Sequence, residues 1–511
     1  MNRDGALQSA WQQEIKKFDT PPAIADVYDV AIIGAGITGI TCAEKLQASN
    51  QNCIVLEAVN IGHGTTGGTT AHLNTFFDSS YDKVIRDFGK DNARLLAQAA
   101  KEAIATIKAN VQKYQIDCDF EEKEAYLFAT DEKQAKELDD LFEGSLEAGI
   151  DISWSDAHTF PIPFVKQARI GGQAQFHPVK YIRALAEAFV KMGGTIFEDV
   201  RVQDIEEAED EVLVLNTTKG VIRCRHAVYA THTPPGVNLL HFRLIPWRSY
   251  VVAVRLKEGN YPDALGYDLQ DPYHYYRTHT INGEQLLIAG GKDHKTGHEE
   301  DTEQFFRELE DHVQLHYDID SVAYSWSSQY YEPVDGLPYI GHLPGGFKEV
   351  YVAAGYNGNG MIFGTLAGTI LTSLIHTGDH NYKELFDPSR VKPVAGFSKF
   401  VEQGADFISS FIKDKFSTEK IRSLVELNND QAKVVKYDGE AYAMYKDNGG
   451  QLHAVSSTCT HVHCNVVWNN AEKTWDCPCH GSRFNINGKV LNAPAVKDLS
   501  RVHLAEPDET V

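Results

Sequence analysis

The sequence predicts a fold of the α/β (α+β) class that ends in a small, antiparallel, all-β domain. Two parts of the 511-residue chain lead to this prediction. A strand, a glycine-rich turn, a helix and a second strand follow one another over residues 28–57, as at the start of a doubly wound parallel sheet. Short strand patterns dominate residues 420–511, and two clusters of cysteine and histidine lie among them.

The first strand, Tyr28–Ile33, is apolar and runs directly into a Gly-x-Gly-x-x-Gly turn at Gly34, Gly36 and Gly39. Glycines at this spacing allow the backbone to approach a pyrophosphate, and the helix that follows directs its N-terminus at the phosphates. The second strand ends at Glu57, at the distance expected for a carboxylate that binds a ribose hydroxyl. This order indicates a Rossmann-type dinucleotide-binding fold. A glycine-rich turn without a nucleotide is the less specific alternative.

Four later stretches bear on the choice between FAD and NAD. The loop 61–72 is rich in small, hydroxyl-bearing residues, and residues 227–231 read Ala-Val-Tyr-Ala-Thr. Residues 335–341 read Asp-Gly-Leu-Pro-Tyr-Ile-Gly, and residues 354–361 form a second glycine-rich turn before an apolar helix. Together these stretches resemble the D-amino-acid oxidase, glycine oxidase and sarcosine oxidase superfamily. The resemblance implies a bound FAD.

The same resemblance implies how FAD is held. The positions at which some relatives attach the flavin covalently are occupied here by Gly68 and, before the late signature, by Ser327. We therefore expect non-covalent FAD, although His63 and His72 lie close to the first of these positions. The FAD contacts that the resemblance implies are Gly34, Gly36, Gly39, Glu57, Thr65, Thr66, Gly67, Val202, Ala230, Thr231, Gly355, Gly358, Asn359, Gly360 and Met361.

The two C-terminal clusters have the composition of a metal site. The first reads Cys-Thr-His-Val-His-Cys over residues 459–464, and the second reads Cys-Pro-Cys-His-Gly-Ser over residues 477–482. Two thiolates on one iron and two imidazoles on the other hold a [2Fe-2S] cluster of raised potential, which carries one electron. A structural zinc site is the alternative, but it would leave two of the cysteines without a role.

The clusters resemble the Rieske family, and within it the cytochrome bc-type members. By position, the resemblance implies cluster ligands at Cys459, His461, Cys477 and His480, and a disulfide between Cys464 and Cys479. His463 departs from the pattern, because the family usually has glycine there. Phe484 stands where high-potential members have a tyrosine hydroxyl, so we expect a potential in the middle or lower part of the Rieske range.

Three residues are candidates for the substrate site. Amino-acid-oxidising relatives hold the substrate carboxylate with an arginine a few residues before the Asp-Gly-x-Pro signature, where this chain has Tyr330. A phenol cannot replace a bidentate guanidinium, so either the carboxylate is held from elsewhere, by Arg248 or Arg277, or the substrate is not a simple amino acid. Each arginine also fits a structural role. A group of tyrosines either lines an amine pocket or packs in part into the core: Tyr273, Tyr275, Tyr276, Tyr330 and Tyr331.

Charge and composition restrict the classes of function. A net charge of -23 opposes nucleic-acid binding, since phosphates would be repelled. A chain of this length with 42% hydrophobic residues can form two or three compact units. The N-terminus lacks the apolar core of a signal peptide, and no uninterrupted apolar run is long enough to span a bilayer. We therefore expect no transmembrane segment and a cytoplasmic location.

The motifs divide the chain into an N-terminal extension (1–27), an FAD-dependent oxidoreductase unit (28–390), a connector (391–419) and a Rieske domain (420–511). Alternating strand patterns place a β-rich substrate subdomain at about 246–327 within the second part. The connector is predicted to be a helix, because its apolar residues recur at helical spacing without the cationic face of a membrane-surface helix.

These expectations converge on an FAD-dependent dehydrogenase. It would oxidise an amine or amino-acid-like substrate by hydride transfer and pass single electrons through its own cluster to an external acceptor, such as a ferredoxin, a quinone or another carrier. No second Gly-x-Gly-x-x-Gly follows a strand, which argues against a nicotinamide as the electron source. The alternatives are a flavin monooxygenase and a redox or electron-transfer module, each receiving its electrons through the cluster.

Overall fold

The computed structural model of the chain describes residues 5–12, 16–19, 25–208, 211–390, 427–437 and 440–502. Two large sheets and their helices form an N-terminal unit, and two small sheets form a C-terminal domain. The helix predicted for the connector, residues 391–419, lies outside the described residues. The expected combination of a mixed α/β unit with a small all-β domain is confirmed.

The first large sheet has five parallel strands at its centre. β1 (Tyr28–Ile33) pairs with β2 (Cys53–Leu56) on one side, and these two strands are buried along nearly their whole length, as central parallel strands are. Beyond them lie β7 (Thr195–Phe197), β10 (Gly220–Tyr229) and β17 (Val350–Ala354). Antiparallel strands complete the sheet: β8 (Val202–Glu207), β9 (Leu213–Thr217) and β16 (Tyr339–His342).

Two helices pack tightly on this sheet. α1 (Ile37–Ala48) begins at the glycine-rich turn, and α8 (Gly360–Thr377) lies so close to it that a Cβ at Gly364 would stand 2.6 Å from the Ile37 side chain. Among the described residues, α8 is the one helix that could cross a membrane by its length and composition alone, although no apolar run in the sequence was expected to be long enough. Its 61% burial within the protein is typical of a core helix. The other helices are α2 (Thr65–Gly68), α3 (Tyr81–Phe88), α4 (Lys90–Tyr114), α5 (Glu132–Ala148), α6 (Pro178–Lys191), α7 (Gln304–Gln314) and α9 (Lys383–Phe386).

The second large sheet is antiparallel over most of its width and contains the predicted substrate region. Its longest pair, β11 (Leu244–Leu256) and β15 (Ile319–Pro333), is followed by β14 (Glu284–Lys295) and β13 (His274–Ile281). The sheet is larger than the predicted range of about 246–327, because it also contains strands from earlier in the chain. The remaining strands are β3 (His72–Leu73), β4 (Glu121–Ala129), β5 (Ile152–Trp154), β6 (Lys166–Gln175) and β12 (Leu265–Asp268).

The C-terminal domain consists of two small antiparallel sheets, and its larger apolar core includes Trp475 and Phe484. The first cysteine and histidine cluster lies in the segment that connects the two sheets, and the second lies in the turn between the second and third strands of the second sheet. The strands are β18 (Gln431–Tyr437), β19 (Glu440–Lys446) and β20 (Leu452–Ser456) in one sheet, and β21 (Val467–Asn469), β22 (Thr474–Asp476), β23 (Arg483–Asn485) and β24 (Val490–Asn492) in the other.

Candidate active site and cluster site

The glycine-rich turn lies directly against neighbouring backbone. A Cβ at Gly34, whose φ is +105°, would stand 2.5 Å from the carbonyl oxygen of Ala230. A Cβ at Gly36 would stand 2.9 Å from Thr66 Oγ1, and one at Gly39 would collide with the Gly34 carbonyl. Only glycine fits at these positions, which is the cradle that a bound dinucleotide requires.

Main-chain amides hold the carboxylate of Glu57 at the end of β2. Oε2 accepts a hydrogen bond of 2.8 Å from the Ala35 amide, and Oε1 accepts one of 2.9 Å from the Val59 amide. Burial raises the pKa of Glu57, while these amides and the nearby Arg201 oppose the shift. Each carboxylate oxygen can accept a second hydrogen bond, so the geometry fits the predicted contact with a ribose hydroxyl.

The turn and Glu57 open onto a cavity of about 780 Å³ that residues of both large sheets line. Three of the implied FAD contacts, Gly39, Gly67 and Gly355, do not line it. Gly39 packs against the turn, and a Cβ at Gly67 would collide with Gln12 of the N-terminal extension. The implied contacts that do line the cavity are Gly34, Gly36, Glu57, Thr65, Thr66, Val202, Ala230, Thr231, Gly358, Asn359, Gly360 and Met361.

The N-terminal extension supports the loop 61–72 from behind. The indole nitrogen of Trp11 donates a hydrogen bond of 2.6 Å to the Thr69 carbonyl, and Gln12 Nε2 donates one of 2.7 Å to the Gly62 carbonyl. These contacts satisfy carbonyl groups that a buried loop would otherwise leave unpaired. Residues 5–12 of the extension therefore pack as part of the FAD-binding unit.

The structure corrects the expectation for Arg277, which is fully buried and does not line the cavity. Its Nη1 donates hydrogen bonds of 2.7 Å to the Thr70 carbonyl and 3.0 Å to the Ala71 carbonyl. Burial lowers the pKa of Arg277 to about 9. Arg277 therefore fixes the end of the loop 61–72, and a substrate in the cavity does not reach its guanidinium.

Arg248 is also fully buried and points away from the cavity, toward the C-terminal domain. Its Nη1 donates a hydrogen bond of 2.7 Å to Ser327 Oγ, and its Nη2 lies 3.8 Å from Asp476 Oδ2. Arg483 also binds this carboxylate, at 3.1 Å. Arg248 therefore does not serve the substrate site as predicted; it joins the FAD-binding unit to the C-terminal domain.

The tyrosines divide between the cavity and other surfaces. Tyr273, Tyr275 and Tyr330 line the cavity. Tyr276 packs in the core of the second sheet, and Tyr331 faces the C-terminal domain. Strand residues alternate between faces, so three of the five tyrosines line a cavity and the other two pack elsewhere.

Two carboxylates in the cavity were missed by the sequence analysis. Asp293 Oδ2 accepts a hydrogen bond of 2.9 Å from the Tyr330 hydroxyl. Burial raises the pKa of Asp293 to about 7, and Asp78 adds to this rise. Asp78 accepts hydrogen bonds from the Gly358 amide at 2.8 Å and the Tyr273 hydroxyl at 3.4 Å. No local motif marks either residue, because only the tertiary fold brings them to the cavity.

The four implied cluster ligands lie together in two loops of the C-terminal domain. The thiols of Cys459 and Cys477 are buried side by side, and the rings of His461 and His480 are 5.0 Å apart. Nδ1 of His461 is buried and has no hydrogen-bond partner within the described part of the chain. A buried nitrogen without a partner is costly, and a metal bond would satisfy it. The set fits a [2Fe-2S] cluster.

A disulfide joins Cys464 to Cys479, as the resemblance implied, and ties the two cluster loops together. His463 has a φ of +65°, so it adopts the left-handed backbone that glycine favours at this position. Ser482 Oγ accepts a hydrogen bond of 3.0 Å from the Ala495 amide, which leaves its own proton available to a cluster atom.

The N-terminal unit covers the imidazole edge of the cluster site. In the 3-10 helix Leu239–Arg243, the ring of His241 meets His461 edge-on at 4.8 Å, and Phe242 meets His480 at 5.7 Å. His461 is 8% exposed and His480 is 3% exposed. The cluster edge that carries the histidines therefore faces the FAD-binding unit.

One strand, β15, separates the cavity from the cluster loops. The Tyr330 side chain lines the cavity. Its two neighbours contact the cluster loop. Gln329 Nε2 donates a hydrogen bond of 2.9 Å to the Gly481 carbonyl, and the Tyr331 hydroxyl donates one of 3.0 Å to the His480 carbonyl. The two sites are thus joined by adjacent residues of a single strand.

The C-terminal domain also completes the cavity wall. The Gly236 amide donates a hydrogen bond of 2.9 Å to the Pro494 carbonyl, and Arg201 Nη2 donates one of 2.9 Å to the Val490 carbonyl. The two predicted cofactor sites therefore share one boundary. The residues of this domain that line the cavity are Leu491, Asn492, Ala493, Ala495 and Val496.

Comparison with known proteins divides the chain in the same way. Residues 29–374 match the family described as FAD dependent oxidoreductase, and residues 418–503 match the Rieske [2Fe-2S] domain. The Bacillus subtilis (strain 168) protein YhfW, described as a Rieske 2Fe-2S iron-sulfur protein, is 34% identical over 478 residues, which cover 93% of each chain.

Two further comparisons concern the N-terminal unit. Gamma-glutamylputrescine oxidoreductase of Escherichia coli (strain K12) is 26% identical over 364 residues, which cover 68% of this chain and 83% of that protein. The crystal structure of glycine oxidase from Geobacillus kaustophilus superposes with a TM-score of 0.60 at 21% identity, covering 72% of this chain and 100% of the other. The second likeness shows a shared fold.

Proposed function

Because the chain belongs to the FAD-dependent oxidoreductase family and carries a Rieske [2Fe-2S] domain, we propose that it is a dehydrogenase of an amine that delivers electrons to an external acceptor. Supporting this substrate class, the relative from Escherichia coli is named for the oxidation of an amine conjugate. The acceptor is a ferredoxin, a quinone or another carrier that the cluster can reduce.

Bound FAD would accept a hydride from the carbon next to the amine nitrogen, and a cluster held by Cys459, His461, Cys477 and His480 would carry the two electrons away one at a time. A primary amine thereby becomes an imine, which water converts to a carbonyl compound and ammonia. Two protons are released, and two one-electron acceptors, or one two-electron carrier such as a quinone, take the electrons. The reaction balances without molecular oxygen.

The observation that carries the proposal is the position of strand β15 between the two sites. Tyr330 lines the cavity, while Gln329 and Tyr331 bind the cluster loop. The imidazole edge of the cluster site is buried against His241. A cluster held in this way supports electron transfer to or from the flavin within the same chain.

The same contacts support electron flow in the opposite direction, as a monooxygenase or a redox module would need. An anaerobic titration of the cofactor-loaded protein with a panel of amines separates these cases. We expect flavin absorbance to bleach and the electron paramagnetic resonance signal of the reduced cluster to appear. In the Cys459→Ala variant, which lacks a cluster ligand, only the bleaching should remain. Flavin reduction by a reduced ferredoxin, but by no amine, would overturn the proposal.

A further inference from the structure

Building on the proposed amine oxidation, we infer that the substrate is a dication: an amine with a second ammonium group and no carboxylate. Asp293 and Asp78 are its two counter-ions, and Tyr273, Tyr275 and Tyr330 form the wall between them. The inference depends on which charged side chains face the cavity and on where each of them lies along its wall.

Arginine is nearly absent from the cavity wall. Among the described residues, Arg201 is the single arginine that lines it, and this side chain lies near Glu57 and binds the Val490 carbonyl. It therefore belongs to the dinucleotide end of the cavity. His72 also lines the cavity, but burial lowers its pKa to about 3, so the ring is neutral at physiological pH. Among the residues that the structure describes, no fixed cation remains beside Asp293 to bind a substrate carboxylate.

The lysines that line the cavity lie on α3 and α5, where their side chains are exposed. An equal number of carboxylates lines the cavity on the same two helices, so this charge is balanced locally. Exposed groups of this kind are also weakened by water and salt. The lysines are Lys83, Lys133 and Lys136, and the carboxylates are Asp82, Glu137 and Asp140.

A third inner carboxylate, Asp268, already has partners. The His274 ring nitrogen Nδ1 lies 2.9 Å from Asp268 Oδ2, and the His274 amide donates a hydrogen bond of 2.7 Å to Asp268 Oδ1. The charge of Asp268 is therefore directed into the sheet. Asp293 and Asp78 line the cavity on the side of the tyrosine wall.

Asp293 is built to receive a cation. Its Oδ2 accepts a hydrogen bond from the Tyr330 hydroxyl, while its Oδ1 has no partner in hydrogen-bonding geometry within the described part of the chain. A buried carboxylate oxygen without a partner is costly, and an ammonium group supplies a charge-assisted hydrogen bond that removes the cost. The three tyrosine rings around it can add cation–π contacts.

Asp78 provides the second negative charge, at the exposed end of this wall. The Gly358 amide and the Tyr273 hydroxyl fix its carboxylate. A ligand carboxylate placed between Asp78 and Asp293 would meet two like charges, whereas a dication would neutralise both. The pair therefore selects for diamine-type substrates and against amino acids by the same electrostatics.

Three probes of equal chain length test this inference on the FAD-loaded protein: diaminopentane, pentylamine and aminopentanoate. Isothermal titration calorimetry with the flavin reduced beforehand gives their Kd values without turnover, and anaerobic bleaching of the oxidised flavin gives their reactivity. We expect diaminopentane to bind at least about tenfold more tightly than pentylamine, which corresponds to about 1.4 kcal/mol. Aminopentanoate should bind more weakly still. Equal affinity for aminopentanoate and diaminopentane would overturn the inference.

Variants assign the effect to the two carboxylates. Asp293→Asn and Asp78→Asn should each reduce the preference for diaminopentane severalfold, while Asp140→Asn, at an exposed cavity carboxylate, should retain it. Flavin absorbance and thermal unfolding confirm that each variant is folded. An unchanged preference in Asp293→Asn would contradict the inference alone. Preferential binding of diaminopentane without bleaching by any amine would contradict the proposed oxidation alone.

Discussion

The hydroxyl of Tyr331 donates a hydrogen bond of 3.0 Å to the main-chain carbonyl of His480, a residue of the cluster site. The same hydroxyl lies 3.4 Å from the Ala493 carbonyl, in the segment that helps to line the cavity. Tyr331 is fully buried, so these contacts are shielded from water. A single side chain of the FAD-binding unit thus fixes both the cluster loop and the cavity wall of the C-terminal domain.

Replacing Tyr331 with phenylalanine should loosen its contact with the cluster loop, while the side chains that line the cavity stay unchanged because Tyr331 is not one of them. The change leaves two buried carbonyl groups with one partner fewer, which costs about 1–3 kcal/mol. We expect cluster reduction after substrate addition to slow severalfold while flavin bleaching keeps its rate, as measured by stopped-flow absorbance and electron paramagnetic resonance. Tyr324→Phe, on the same strand, is the matched control. Equal rates in both variants would contradict the assigned role.

Replacing Arg248 with methionine tests its placement between the two parts of the chain. Removal of one partner from a buried ionic group typically costs about 3 kcal/mol, because the remaining charge loses its compensation. Denaturant unfolding should show this loss, while the Kd of diaminopentane stays unchanged. Arg255→Met removes an exposed pair with Glu284 on the same strand and should change stability little. A weakened Kd with normal stability would restore Arg248 as a substrate residue.

The roles of Arg248 and Arg277 show where sequence-based prediction ends. The glycine-rich turn and the cluster loops are local motifs, so their spacing and their resemblance to known families predict their geometry. The partners of Arg248 are Ser327 and Asp476, which are distant in the sequence and belong to other elements. An arginine on a strand fits a substrate site and a buried contact equally well until the strand pairing is known.

The affinity for a cation should depend on pH through Asp293. Burial raises the pKa of this carboxyl to about 7, so about half of it is protonated at neutral pH. An ammonium group favours the ionised form, so binding releases a proton and affinity rises between about pH 6 and pH 8. Asp78, Tyr273, Tyr275 and Tyr330 face this site. Burial raises the pKa of each of these tyrosines, so they stay neutral over this range.

Calorimetry with diaminopentane across this pH range measures the effect directly. Asp293→Asn cannot ionise at this position and should give a nearly flat profile. An affinity that falls as pH rises in the natural protein would show that a different group controls binding.

Loss of the disulfide between Cys464 and Cys479 should destabilise the cluster loops. A disulfide that closes a loop of this size, with a sequence separation of 15, contributes about 3 kcal/mol. We expect Cys464→Ser to lower the unfolding temperature of the C-terminal domain and to lose cluster absorbance faster on warming. Treatment of the natural protein with a thiol reductant should reproduce the loss. Equal stability of variant and natural protein would contradict this role.

Asp293 and Asp78 illustrate the other gap in sequence-based prediction. The sequence places Tyr330 where amino-acid-oxidising relatives have an arginine, which argued against a simple amino acid as the substrate. It did not indicate the carboxylate beside Tyr330, because Asp293 lies 37 positions away and reaches it only through the second sheet. The charge of a substrate site is therefore visible only after tertiary contacts bring distant side chains together.

The most direct test of the account is the order of electron arrival after anaerobic mixing of diaminopentane with the protein that contains both cofactors. Stopped-flow absorbance follows the flavin, and freeze-quench electron paramagnetic resonance follows the cluster. Electron flow from amine to flavin to cluster predicts that flavin bleaching begins first and that the cluster signal grows in after it. A cluster signal that fails to appear while the flavin is fully bleached would contradict electron transfer across strand β15.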